Sequence, residues 1–144
     1  MKKEDFKEVL IPVHGRFWQR AYKKLMAKIS ALKSSLKIRS IKNGVIFNVT
    51  LPELKEMFLK TYGSKCRYCT KILSYKNIAC DHIIPLAKSG DSIISNLQLI
   101  CRTCNTRKGP LNEEDFNLLI NLVIDLPDEL SAYVMRKLAK GGRY

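Results

Sequence analysis

Two Cys-x-x-Cys pairs, Cys66-Arg67-Tyr68-Cys69 and Cys101-Arg102-Thr103-Cys104, stand on either side of residues 70–100. Each pair on a tight turn presents two thiolates, and two such turns complete a tetrahedral four-sulfur site with metal–sulfur bonds of about 2.3 Å. Either pair alone fits a redox motif. Two pairs without a βαβ context fit structural Zn2+. Four thiolates close the shell, so this ion has no open position for chemistry. Its work is to tie two turns together, and in a segment with little core of its own metal binding becomes folding free energy. The fifth cysteine, Cys80, alternates with apolar Ile78 and reads as a small buried thiol.

Lys and Arg number 26 against 13 Asp and Glu, a net charge of +13 on 144 residues, about one domain's length. A surplus of that size points to a polyanionic partner, DNA first. A merely soluble basic protein is the plainer alternative. Between Val9 and Pro52 there are nine basic residues, Arg16, Arg20, Lys23, Lys24, Lys28, Lys33, Lys37, Arg39 and Lys42, and no acid. Arg16, Arg20, Lys23, Lys24 and Lys28 are the candidate DNA contacts of this front end. No signal-peptide core opens the chain, and the most apolar run, Leu118 to Ile124, is short and broken by Asn121. No membrane partner is expected, and unpaired thiols without a secretion signal imply a reducing, cytoplasmic setting.

Phe17, Ala21, Leu25, Ile29, Leu32 and Leu36 recur at helical spacing and predict an amphipathic helix over residues 15–37. Ile38–Lys42, Asn43-Gly44 and Val45–Val49 predict a β-hairpin, because Asn-Gly suits a two-residue turn. Thr50 with Glu53 fits a capping box for a helix to about Tyr62, stopped by Gly63, with Leu54, Met57 and Phe58 inward. Further on, Asn112 caps a helix over 113–124, with Phe116, Leu119, Ile120 and Val123 inward. A second helix from Pro127 to Ala139 turns Leu130, Tyr133, Val134 and Leu138 inward, and Gly141–Tyr144 reads as a frayed tail. The expected organisation is a basic extension over 1–50, a core over 51–110 and a helical hairpin over 111–144, an α+β chain.

Between the cysteine pairs, residues 78–86 read as a strand stopped by Pro85. A loop with Gly90-Asp91 and Asn96 follows, then a short strand over 97–100 and a helical turn over 103–108. This compact ββα unit carries Asp81, His82 and Asn105. Phosphodiester hydrolysis needs a base for water, and neutral imidazole is the side chain poised near neutral pH. It also needs a cation against the phosphate and the leaving oxygen. Asp81 and Asn105 offer hard oxygen ligands for Mg2+ or Mn2+. Neighbours on a strand point to opposite faces, so Asp81 and His82 share a site only if the strand ends or bulges there. Taken singly, a strand histidine is usually a hydrogen-bonded residue of no consequence, and an Asn after Cys-x-x-Cys is a helix cap. Their joint spacing favours chemistry. A zinc deaminase needs His-x-Glu, whereas Ile83 and Ile84 follow His82.

The succession Cys-x-x-Cys, Asp81-His82-Ile83-Ile84-Pro85-Leu86, Gly90-Asp91, Asn96-Leu97-Gln98-Leu99-Ile100-Cys101, Cys104-Asn105-Thr106-Arg107-Lys108-Gly109 resembles the HNH endonucleases in their four-cysteine zinc form. The resemblance covers about residues 63–110. It implies a ββα-metal (His-Me finger) nuclease that cuts DNA to leave 5′-phosphate and 3′-hydroxyl ends. His82 matches the family's general base, Asp81 the preceding acidic metal ligand, and Asn96 the central Asn that orients the loop. Asn105 takes the place of the last ligand, often His, and a carboxamide there tilts the choice toward Mg2+ or Mn2+ and away from zinc. Arg107 and Lys108 are the phosphate contacts expected beside it. The size and basic front end are similar to those of phage or mobile-element HNH proteins. One site per chain implies a nick from a monomer. A zinc-binding DNA-recognition module without catalysis is the competing reading.

Overall fold

Helix α1 (Lys3–His14) opens the chain of a computed structural model that describes residues 1–140. It was not expected from the sequence. Phe6 and Leu10, one turn apart, are its buried residues, Pro12 interrupts its last turn, and the Lys2 N–H donates to Asp5 at its start. A single 3₁₀ turn (Gly15–Phe17) leads into α2 (Trp18–Asn43), the longest element. The expected helix over 15–37 therefore starts later and runs six residues further. Phe17 does not belong to the stripe: it is 60% exposed. Ala21, Leu25, Ile29, Leu36 and Ser40 are buried along one face, and the Ser40 hydroxyl donates back to the Leu36 carbonyl.

The expected hairpin over 38–49 does not form. Helical spacing of buried positions continues through Ser40, and Asn43-Gly44 ends the helix instead of turning a hairpin. Gly44 takes φ 65° and its N–H returns to the Ile41 carbonyl. A left-handed glycine serves both a helix stop and a hairpin turn, so the dipeptide does not choose between them. What remains is β1 (Phe47–Asn48), which pairs in parallel with β3 (Ser92–Ile93).

Helix α3 (Leu51–Thr61) begins with the Thr50–Glu53 capping box and buries Leu54 and Phe58, with Met57 partly buried. Gly63, at φ 77°, turns the chain into a tight loop where Lys65 bridges Ile72 and the Cys66 N–H donates to the Lys71 carbonyl. Strand β2 (Ile78–His82) lies antiparallel to β4 (Leu97–Cys101), from Ile78 opposite Cys101 to His82 opposite Leu97. It ends at His82, short of the expected Leu86. Helix α4 (Arg102–Lys108) follows β4 directly. The loop 83–96 folds tightly, and a Cβ on Gly90 would run into the Ile84 carbonyl.

Helix α5 (Glu113–Ile124) is capped by Asn112 and buries Phe116 and Val123; Leu119 and Ile120 are only partly covered. Helix α6 (Asp128–Ala139) buries no residue fully. The expected inward set is corrected accordingly: Leu130 and Tyr133 are exposed, while Val134 and Leu138 are partly buried. The tail at 141–144 lies outside the described residues. One core runs from Phe6 and Leu10 through Leu25, Ile29, Leu54 and Phe58 to Ile78, Ile100 and Cys104. Helix α3 thus packs against β4, the partner of the strand that carries Asp81 and His82, while α2 packs against β1, β3 and the loop after β2. Among the described residues no helix is long and apolar enough to cross a membrane.

Candidate active site and zinc centre

The four cysteines converge as their spacing demands. Cys66 and Cys69 lie on the turn after α3, Cys101 ends β4, and Cys104 lies in the first turn of α4. Their sulfur atoms all fall within 4.8 Å of one another, and none is in a disulfide. Cys69 Sγ and Cys101 Sγ are 3.6 Å apart, close to the ~3.8 Å edge of a tetrahedron with 2.3 Å zinc–sulfur bonds. The Cys101 N–H donates to Cys66 Sγ and the Cys104 N–H to Cys101 Sγ. Backbone donors aimed at sulfur favour thiolates, the form that binds metal. The donor set, its separations and its donors fit zinc.

The ends of β2 and α4, with the loop after β2 and the late turns of α2, enclose a second site. Asp81, His82 and Asn105 line one open cavity with Arg39, Cys80 and Pro85. The strand ends at His82, which lets two neighbours reach a common space. His82 is buried, and its Nε2 lies 2.8 Å from the Ser92 hydroxyl. Ser92 is 2.7 Å from the Ser40 hydroxyl of α2, which donates to the Leu36 carbonyl. Burial, then the nearby Arg39 and Lys108 cations, hold the His82 imidazole down to about 4, so the ring is neutral at pH 7.

Asp81 accepts from the Gln98 amide at 2.8 Å and from Lys108 Nζ, which lies 3.0 Å from Oδ2 and 3.1 Å from Oδ1. Burial pushes its carboxyl above the usual range, against the pull of Gln98 and Lys108. Asn105 is partly buried, and among the described residues its carboxamide meets no hydrogen-bond partner. Two hard oxygen donors on one cavity suit Mg2+ or Mn2+ in kind. The ammonium already on Asp81 means that a divalent ion would share that carboxylate with a buried cation.

Asn96 clamps the loop. Its carboxamide oxygen accepts from the Ile84 N–H at 2.8 Å, and its nitrogen donates to the Ile84 and Asp91 carbonyls. Its own backbone carbonyl accepts from the Ile83 N–H. Cys80 is partly buried beside the site, its thiol pushed up to about 12 by burial, so it stays protonated at neutral pH.

Residues 66–111 match the HNH endonuclease family. The match begins at the first cysteine of the four-cysteine cluster and ends just past α4, so the HNH segment holds both centres while α1–α3, α5 and α6 lie outside it. No curated protein resembles the chain closely enough to count as a relative.

Among the candidate DNA contacts, Lys108 is corrected. Its side chain is 0% exposed, and it also donates to the His82 carbonyl at 2.8 Å, so it braces the HNH strands and does not reach solvent. Arg107 is partly buried, and its Nε donates to the Met135 carbonyl, tying α4 to α6. Lys28 donates to the Tyr75 carbonyl, and burial first, then Arg102, lowers its pKa. Lys24 stands over the Tyr75 ring and Arg16 over Phe17. Arg16, Arg20, Lys23 and Lys24 are exposed.

Four residues escaped the sequence reading: Arg39, which lines the cavity, and Ser40, Ser92 and Gln98, which hold its residues from behind. Ser40 and Arg39 were hidden by the hairpin expected over 38–42. Helical numbering is the signal that would have found them, since it puts both on the Leu36 face. Ser92 and Gln98 carry a weaker signal, as ordinary residues next to Asp91 and within a strand.

Proposed function

We propose that the protein is a metal-dependent DNA endonuclease that hydrolyses phosphodiester bonds, with His82 as general base. The observation that carries the reading is the shared cavity of Asp81, His82 and Asn105 within the HNH segment, with the imidazole neutral and anchored. Polarity along the anchor follows from counting bonds. If the ring donates from Nε2 to Ser92, then Ser92 donates to Ser40 and Ser40 to the Leu36 carbonyl, three bonds in all. The reverse direction makes only two. The outward direction leaves Nδ1 unprotonated, free to take a proton from water.

Asp81 and Asn105 would hold Mg2+ or Mn2+, which supplies Lewis-acid stabilisation of charge on phosphate and leaving oxygen when bound. Asn96 keeps the loop in register behind His82, and the zinc cysteines fix β4 and α4, from which Gln98, Asn105 and Lys108 project. The surplus of Lys and Arg, and the exposed Arg16, Arg20, Lys23 and Lys24, support DNA as the polyanion. The ββα-metal assignment of β2, β4 and α4 belongs to the same reading.

One observation favours the alternative of a non-catalytic zinc-binding DNA module: the Lys108 ammonium already neutralises Asp81. Supercoiled plasmid incubated with the protein and Mg2+ or Mn2+ separates the two. The nuclease nicks or linearises it, and His82→Ala protein with its zinc intact does not. DNA binding without cleavage by the unaltered protein selects the module.

A further inference from the structure

Arg39 projects from the late turns of α2 into the wall of the cavity that holds Asp81, His82 and Asn105. Its neighbours on the helix, Leu36 and Ser40, are fully buried, so the backbone that carries it is fixed in the core. Its Nε is shielded from solvent and has no hydrogen-bond partner among the described residues. A buried donor left unpaired is destabilising, the more so on a charged group. Among the described residues no carboxylate lies within ion-pair distance of it. The cavity's own acid, Asp81, is taken up by Lys108 and Gln98. A permanent cation with a planar fork of donors therefore borders the site with its charge uncompensated.

An anion that enters the cavity, accepts hydrogen bonds from the guanidinium and comes within reach of His82 would supply the missing partner. A phosphodiester has these properties, and guanidinium binds its paired oxygens bidentately. We propose that Arg39 binds the non-bridging oxygens of the phosphodiester held against His82, so that α2 supplies a substrate contact to the site from outside the HNH segment. This rests on the nuclease reading for its substrate. It also gives the basic helix a function distinct from general attraction to DNA: its exposed lysines hold the duplex, while Arg39 receives the reacting phosphate.

Single-turnover plasmid cleavage by the full chain, with Arg39→Ala and Arg39→Lys variants checked for zinc content and melting temperature, tests the assignment. Loss of a preorganised donor to a reacting oxygen lowers the rate about 100-fold or more. Arg39→Ala is expected to show that loss. Its affinity for duplex DNA, measured in the His82→Ala background, should fall by less than about 10-fold, because one phosphate contact among many is removed. Arg39→Lys keeps the charge and most of the stem but loses the fork, and is expected to remain at least about 10-fold slow. Cleavage at the unaltered rate by either variant overturns the proposal and leaves the nuclease reading standing.

If the unaltered protein cuts nothing with either metal, the nuclease reading falls and binding decides. Calorimetric titration with inorganic phosphate then compares it with Arg39→Ala. Equal uptake by the two overturns the anion site, and uptake lost with Arg39 sustains it.

Discussion

His82 draws its chemical character from what surrounds its ring. Ser92 fixes one nitrogen, and burial beside Arg39 and Lys108 keeps the imidazole neutral. Ser92→Ala should free the ring to rotate and slow cleavage by up to about 100-fold, with DNA affinity unchanged in a binding assay. Unchanged cleavage would remove the anchor from the mechanism. The same environment sets a pH dependence of stability. The folded pKa of about 4 lies below the ~6.5 of an unfolded histidine, so the unfolded chain takes up the proton first on acidification. The contribution is complete above about pH 6.5 and is lost as pH falls toward 4. Burial also lowers His14, which adds in the same direction. Urea midpoints at pH 7 and 5.5 should drop more for the unaltered protein than for His82→Asn, and parallel drops would contradict the assignment.

Between β2 and α4 the coupling runs through one buried ion pair. Lys108 sits at 0% exposure and contacts both Asp81 and the His82 carbonyl. Removing one partner of a buried pair typically costs about 3–5 kcal/mol, because the other charge is stranded. Lys108→Met should therefore lower the unfolding free energy by that amount in urea titration, and a loss below about 1 kcal/mol would mean that water reaches Asp81. This pair was not legible in the sequence, where Lys108 looks like one more cation near a phosphate. Local patterns carried further. The Thr50–Glu53 cap, the Asn112 cap, the strand pair around Asp81 and the four-cysteine cluster follow from short-range chemistry. What failed had two local solutions. Asn43-Gly44 ends a helix or turns a hairpin with the same left-handed glycine, and only the burial of Ser40 against Ser92 decides between them. Tyr133 and Leu130 have helical spacing, but both remain about half exposed.

At the scale of the molecule, the four-cysteine centre and the basic helix are linked by a continuous core. Cys66, Cys101 and Cys104 pack with Leu73 and Ile78, and these with the residues of α2 and α3. Zinc removal should therefore loosen more than two turns. One equivalent of zinc per chain is expected by metal analysis, and stripping it under denaturing chelation should prevent recovery of the near-ultraviolet dichroism on refolding until zinc is restored. Recovery without metal would reduce the cluster to four ordinary thiols. The basic face makes a separate demand. Lys23 and Lys24 are exposed on α2, whereas the Lys28 ammonium is engaged by the Tyr75 carbonyl. Each phosphate neutralised on duplex DNA contributes about 0.9 to the slope of log K against log salt. Changing Lys23 and Lys24 together to Ala should flatten that slope by about 1.8, while Lys28→Ala should change it less and act instead on stability, because a partly buried ammonium bound to a carbonyl is poorly free to meet phosphate. Anisotropy titrations from low to moderate salt distinguish these outcomes. If the double variant keeps the full slope, the charge on this face serves solubility, and DNA must be held by other residues.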